Sequence, residues 1–138
     1  MDIRDLMTPE PVVCASDSSL QAAASAMRDR HIGDVLVRDG DGRLCGIVTD
    51  RDLVVRGLAR GDDVSSMTLG DVCDGELHTV QADASVGDVI RMMQERTIRR
   101  APVMQDDQLV GIVSLGDLAA RLDADSALGA ISKAAPDS

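Results

Sequence analysis

Two stretches of this chain carry, in the same order, residue types suited to a phosphate or ribose site. They are Gly46-Ile47-Val48-Thr49-Asp50-Arg51-Asp52 and Gly111-Ile112-Val113-Ser114-Leu115-Gly116-Asp117. Each reads glycine, two apolar residues, a hydroxyl, two variable positions and an aspartate. A hydroxyl where a strand runs into a helix can donate to a phosphate that the free N–H groups and helix dipole attract. A carboxylate one turn further can accept both hydroxyls of a ribose. The glycine leaves room for a ligand or a neighbouring strand. The same hydroxyl and acid also spell a capping box, in which they satisfy only the helix's own N–H groups. Both readings stand on these residues alone.

Other chemistry is thinner. Cys14, Cys45 and Cys73 are odd in number and widely spaced, without a C-x-x-C, which fits neither a disulfide framework nor a zinc site. His31 and His78 are isolated. Asp39-Gly40-Asp41-Gly42-Arg43 begins like a calcium loop, but its glycine and closing acid are misplaced, so it reads as a hairpin turn. With no nucleophile elbow and no metal-spaced cluster, the expectation is a protein that is not an enzyme.

The elements that position the two stretches occur twice. Sliding the chain by 66 residues lays Ile3-Arg4-Asp5-Leu6-Met7 over Leu69-Gly70-Asp71-Val72-Cys73, and Met27 over Met93. After one deletion in a turn, Leu44 to Leu53 falls on Leu109 to Leu118. Cys14, Cys45 and Cys73 then face Val80, Val110 and Met7, so each thiol takes an apolar place. Leu20, Ala23, Ala24 and Met27 fall at helical spacing, as do Val86, Val89, Ile90 and Met93. Asp17 and Asp83 stand where N-caps are wanted. Val12-Val13-Cys14 and His78-Thr79-Val80 read as short strands. Hairpins follow, from Asp34-Val35-Leu36-Val37 with Leu44 to Val48, and from Ala101-Pro102-Val103-Met104 with Leu109 to Val113. A second helix after each hairpin turns Leu53 and Leu58 inward in one copy, Leu118 and Leu122 in the other.

The expected fold class is α/β in the mixed α+β sense: two β-α-β-β-α units over 2–60 and 69–123, with a polar linker at 61–68 and a tail at 124–138. About fifty residues make a marginal core alone, so the two units are expected to pack sheet against sheet with pseudo-two-fold symmetry. A helix near Ala127 to Lys133 is one option for the tail.

Composition excludes several functions. The 138 residues are 44% hydrophobic and 28% charged, with a net charge of −10 and no Phe, Trp or Tyr. A nucleic-acid binder needs the opposite charge, and single-strand binders need aromatic platforms. No apolar run approaches the ~20 residues of a membrane span, and Met1-Asp2-Ile3-Arg4-Asp5 does not begin a signal peptide. A cytoplasmic protein without nucleic-acid or membrane partners is expected.

The duplicated unit and the paired G-h-h-[T/S]-x-x-D ends resemble tandem CBS (cystathionine-β-synthase-type) domains, the Bateman module. Asp5-Leu6-Met7-Thr8, Ile98-Arg99-Arg100-Ala101-Pro102-Val103 and Thr49-Asp50-Arg51-Asp52-Leu53 add to the likeness. Covering about residues 2 to 123 with no catalytic domain attached, the chain is similar to stand-alone bacterial CBS-pair proteins. The resemblance implies a regulatory sensor that requires no cofactor, binds AMP, ADP, ATP or S-adenosylmethionine between its repeats, and signals to a partner protein. The alternative is a ligand-free dimerisation or adaptor module whose motifs act only as caps. Carried over by position, one site uses Asp52 on the ribose, Thr49 on the phosphate, and Ile32, Gly33 and Asp34 on the adenine, with Arg99 and Arg100 facing the phosphates. The other uses Ile98, Ser114 and Asp117, with Gly33 and Asp34 on its phosphate side. The family also implies a homodimer, and the apolar helix sides of Ala23, Met27, Val89 and Met93 are the surface expected to be exposed for it.

Overall fold

The computed structural model describes residues 2–73, 75 and 77–122. The chain opens with a 3-10 turn over Ile3–Asp5, strand β1 (Thr8–Pro9) and strand β2 (Val13–Ala15). Helix α1 (Leu20–Arg30), strands β3 (Asp34–Arg38) and β4 (Leu44–Thr49), and helix α2 (Asp50–Asp52) follow. From α2 the chain runs on through a π-helical turn, Leu53–Gly57, and a 3-10 turn, Leu58–Arg60. The second copy comprises α3 (Leu69–Val72), β5 (Val80–Gln81), α4 (Val86–Arg96), β6 (Arg100–Gln105), β7 (Gln108–Ser114) and α5 over 115–122. The expected helix near Ala127 to Lys133 lies outside the described residues.

Two compact units result. A continuous unit comprises Pro11–His78, and a composite unit joins the residues through Glu10 to those from Thr79 onward. They do not coincide with the repeats, because each repeat lends its opening segment to the other copy's strands and helices. Ile3 and Arg4 donate their N–H groups to Ala84 and Ala82, at 3.1 and 3.0 Å. Sixty-six residues on, Leu69 and Gly70 donate to Ser18 and Ser16, both at 2.9 Å. The register of the duplication is thus written in hydrogen bonds as well as in residue types.

In the continuous unit, β2 runs parallel to β3, and β3 pairs antiparallel with β4 in the order β2-β3-β4. In the composite unit the order is β1-β7-β6-β5, with β5 parallel to β6 and β6 antiparallel to β7. Mixed α+β architecture with two sheets is as the residue pattern predicts. The Asp39–Arg43 joint is a turn: the Asp39 carboxylate accepts the N–H groups of Asp41 and Arg43 at 2.9 and 3.0 Å.

Each unit closes its own core. Leu20, Ala23, Met27, Val35, Val37, Val48, Met67, Leu69 and Val72 form one, with Cys14, Cys45 and Cys73 packed against it in the apolar places their register predicts. Ile3, Val86, Val89, Met93, Ala101, Val103, Val113 and Leu118 belong to the other. Ala23, Met27, Val89 and Met93 are therefore core residues, not the exposed surface expected of them. Those side chains meet their own sheets, while Ala24 of the same α1 stripe stays exposed.

Three further expectations are corrected. The N-caps of α1 and α4 are Ser19 and Ser85, not Asp17 and Asp83; their hydroxyls accept from Ala22 and Asp88 N–H at 3.1 and 3.2 Å. Leu58 points outward and Gly57 takes the core position: at 3.6 residues per turn Leu58 lies about 140° round the helix from Leu53, and Gly57 only about 40°. Leu122 is also exposed, while Leu118 is fully buried. His31 and Thr97, matched in the repeat, do the same structural job, since both end their helices in the left-handed region at φ 55°. Among the described residues, no helix is long and apolar enough to cross a membrane.

Candidate functional site

The composite unit builds its site from the start of β6 and the end of β7. Arg100 stands opposite Ser114 in the antiparallel register. Ser114 ends β7 and caps α5, its hydroxyl oxygen accepting the Asp117 N–H at 3.1 Å. The Leu115 N–H donates to the Arg99 carbonyl at 2.7 Å, which ties the first helical residue to the segment carrying both arginines. Around this junction lies a pocket of about 350 Å³ lined by Arg99, Arg100, Ser114, Leu115, Gly116 and Ala119. At Gly116 an added Cβ would meet nothing within 4 Å, so this wall is open. Two guanidinium groups and a hydroxyl whose proton is not spent on the cap suit a phosphate or carboxylate.

The continuous unit makes the same junction with different side chains. Asp34 stands opposite Thr49, and the Asp50 N–H donates to the Gly33 carbonyl at 2.9 Å. Thr49 and Asp52 form a reciprocal capping box: the Thr49 hydroxyl accepts the Asp52 N–H at 3.1 Å, and Asp52 Oδ2 accepts the Thr49 N–H at 2.9 Å. Asp52 Oδ1 lies 3.8 Å from Arg56 Nε. The cap therefore uses one lone pair of the hydroxyl and one of the carboxylate, and capacity for a ligand remains on both groups.

Thus Ile32, Gly33, Asp34, Thr49 and Asp52 come together in one unit, and Ile98, Arg99, Arg100, Ser114 and Asp117 in the other. Ile32 and Ile98, expected against adenine, are half-buried and pack on their own cores. Asp117 is exposed. Sequence reasoning missed Leu115, Gly116 and Ala119 as lining residues; their signal is helical position, one, two and five residues past the hydroxyl.

A second concavity, about 470 Å³, lies in the continuous unit between α1 and the π-helical turn. Leu20, Ala24, Leu53, Val54, Leu58 and Val64 supply its apolar lining. Val54 and Leu58 are 55% and 61% exposed. Elsewhere in this unit, burial pushes the Cys14 thiol above its ordinary pKa, which suits a packing role better than a reactive one. Among the described residues, no group of three His, Cys, Asp or Glu side chains is placed to hold a metal ion.

Two mixed sheets, each with a hydroxyl-capped helix leaving its last strand, define a tandem α+β architecture. The CBS domain profile matches residues 3–58 and 69–124, and the chain belongs to that family. Hypoxic response protein 1 of Mycobacterium tuberculosis is 38% identical over 119 residues, 86% of this chain and 83% of that protein. A crystal structure of Hypoxic Response Protein I with two coordinated zinc ions superposes with a TM-score of 0.73 at 37% identity, over 87% of this chain and 98% of that one. The CBS domain pair of protein MJ0100, solved with 5′-methylthioadenosine and S-adenosyl-L-methionine, gives a TM-score of 0.77 at 25% identity, covering 91% and 98%.

Proposed function

We propose that this chain is a regulatory module that binds an adenosine-containing ligand and transmits its occupancy to a partner protein, rather than an enzyme. The observation that carries the reading is the pocket of Arg99, Arg100 and Ser114 beside the start of α5. The adenosine ligands bound by the MJ0100 pair support the choice of ligand class. Ser114 donates its hydroxyl proton to a ligand oxygen, the arginines take its anionic part, and Asp117, exposed one turn on, accepts ribose hydroxyls. Thr49 and Asp52 offer the same hydroxyl and acid in the other unit. The output is a shift between conformations that the ligand stabilises unequally.

Because the chain lacks Trp and Tyr, the test is a dye-monitored thermal melt with AMP, ADP, ATP, S-adenosylmethionine and 5′-methylthioadenosine. A ligand at a hundred times its Kd should add about 2.7 kcal/mol of stability and raise the midpoint accordingly. No shift with any of them at millimolar concentration would sink the proposal. A second reading, a ligand-free adaptor, is favoured by one observation. The reciprocal box seen at Thr49 and Asp52 recurs at Asp2 and Asp5, outside either junction. The chain also pairs with a second copy of itself, through the exposed apolar cluster of Val54, Val55 and Leu58, of which Val54 and Leu58 line the groove.

A further inference from the structure

We infer that paired copies of this chain exchange their opening segments, so that residues 2–10 of each complete the composite unit of the other. The inference rests on the pairing of two copies proposed above and names what they trade. Each composite core is then closed by Ile3 of the second copy.

The duplication shows that the slot recognises a segment and not its tether. Ile3 and Arg4 donate to Ala84 and Ala82, and Asp2 bridges Ser85. Sixty-six residues on, Leu69 and Gly70 donate to Ser18 and Ser16, and Thr68 bridges Ser19. Ile3 and Leu69 are both fully buried. Each slot is thus filled by the opening segment of the other repeat, through the same bonds and a matched apolar side chain. In the composite unit β1 extends the hold, with Thr8 and Pro9 opposite Ile112 and Gly111 of β7. All these contacts form equally well whichever copy supplies the segment. The closed and exchanged forms differ only at the link.

That link is Pro9-Glu10-Pro11, where the chain leaves the composite unit at Glu10 and enters the continuous one at Pro11. Glu10 is exposed and holds φ 53°, in the left-handed region that suits glycine and penalises a Cβ. A following proline also pushes its predecessor towards extended backbone. Among the described residues, the other side chains at positive φ have a local reason. His31 and Thr97 end helices with their N–H groups bonded into the last turn, and Asp106 and Asp107 turn the β6–β7 hairpin. Glu10 does neither. A short link under strain invites exchange, because extending it relieves the strain while every docked contact is remade on the second copy. A two-fold pair relieves it twice. The contact at Val54, Val55 and Leu58 supplies the raised local concentration that the trade requires.

The test is disulfide trapping on the full chain. Cys14→Val, Cys45→Val and Cys73→Met clear the native thiols, each with the residue of the matched place in the other repeat. Thr8→Cys with Ile112→Cys then sets two thiols at facing positions of β1 and β7, within reach of a disulfide. Asp2→Cys with Ser85→Cys, across the neighbouring bridge, reads the same docking should the first pair fold poorly. After oxidation at tens of micromolar, a non-reducing denaturing gel resolves exchanged copies as a covalent pair and closed chains as a bridged single chain. The covalent pair is expected. Glu10→Gly should raise the concentration at which half the chains are trapped as pairs about tenfold or more, since glycine takes φ 53° freely and two links lose their strain. A bridged single chain alone, beside a dimer in sedimentation, overturns the exchange and leaves the pairing standing. A bridged single chain with only monomer in sedimentation overturns both. A covalent pair that survives Val54→Glu with Leu58→Glu sustains the exchange and overturns the pairing face. Trapping that Glu10→Gly leaves unmoved overturns the strained link as its cause.

Discussion

Aspartates in this chain act largely on backbone N–H groups, and that sets how the fold responds to acid. The Thr68 N–H donates to Asp71 Oδ2 at 2.9 Å. This bond, with help from the Thr68 side chain and Arg60, holds the Asp71 carboxyl below its ordinary value of 3.8. The hydroxyl and then the N–H of Ser65 do the same for Asp63. A carboxyl whose pKa is depressed by folding contributes its full stability above the unfolded value, and loses it as pH falls through the folded value. Chemical denaturation followed by circular dichroism should therefore give a midpoint that is level from neutrality to about pH 5 and falls below about pH 4. Asp71→Asn and Asp63→Asn should each flatten that fall; identical acid sensitivity in parent and variants would refute the assignment. The capping acids were legible in the residue order because a capping box is local. The choice of Ser19 and Ser85 over Asp17 and Asp83 was not. Either residue can cap, and the decision belongs to the core, which places Leu20 and Val86 at the first buried positions.

Helices and strands were legible wherever side-chain spacing followed the period, and misjudged where it did not. Leu53 and Leu58 were expected to turn inward together, but five residues at 3.6 per turn stand on different sides of a helix. Gly57, four residues after Leu53, faces in and Leu58 faces out, through the π turn at Leu53–Gly57. A Cβ on Gly57 would come within 2.6 Å of Leu20 Cδ2, the far end of a side chain that can turn. A Cβ on Gly111 would meet Met7 Sδ at 2.5 Å and the Thr8 carbonyl at 2.9 Å, where β1 pairs with β7. Backbone cannot yield there without losing that pairing. Gly111→Ala should therefore cost about 1–3 kcal/mol by overpacking. At Gly57→Ala the same cost is offset by up to about 1 kcal/mol of helix propensity. Urea denaturation of both variants checks the order. Gly57→Ala proving the more damaging would mean that the Leu20 contact is stiffer than the β1–β7 edge. The sequence spacing matched Gly111 to Gly46, but only the traded opening segments reveal what lies above Gly111.

At the scale of the whole molecule, the proposed self-association pits charge against apolar area. Every copy carries −10, so two copies repel. The attraction has to come from apolar side chains left in water. Among the described residues the large exposed ones are Val54, Val55, Leu58 and Leu122, and the first three cluster, at 55%, 48% and 61% exposure, with Val54 and Leu58 lining an apolar groove. Burying an exposed Val or Leu fully is worth about 1.5–3 kcal/mol, and symmetry counts each residue twice. Sedimentation equilibrium at micromolar concentration should therefore show a dimer, strengthened by salt because the repulsion is screened while the apolar contact is not. Val54→Glu with Leu58→Glu should give a monomer with an unchanged circular dichroism spectrum, since both side chains already stand mostly in water. Only monomer from the parent chain at tens of micromolar would remove the claim. A double variant that remains dimeric would place the contact on another face, and association that weakens with added salt would mean that charge pairing, not this apolar patch, holds the copies together.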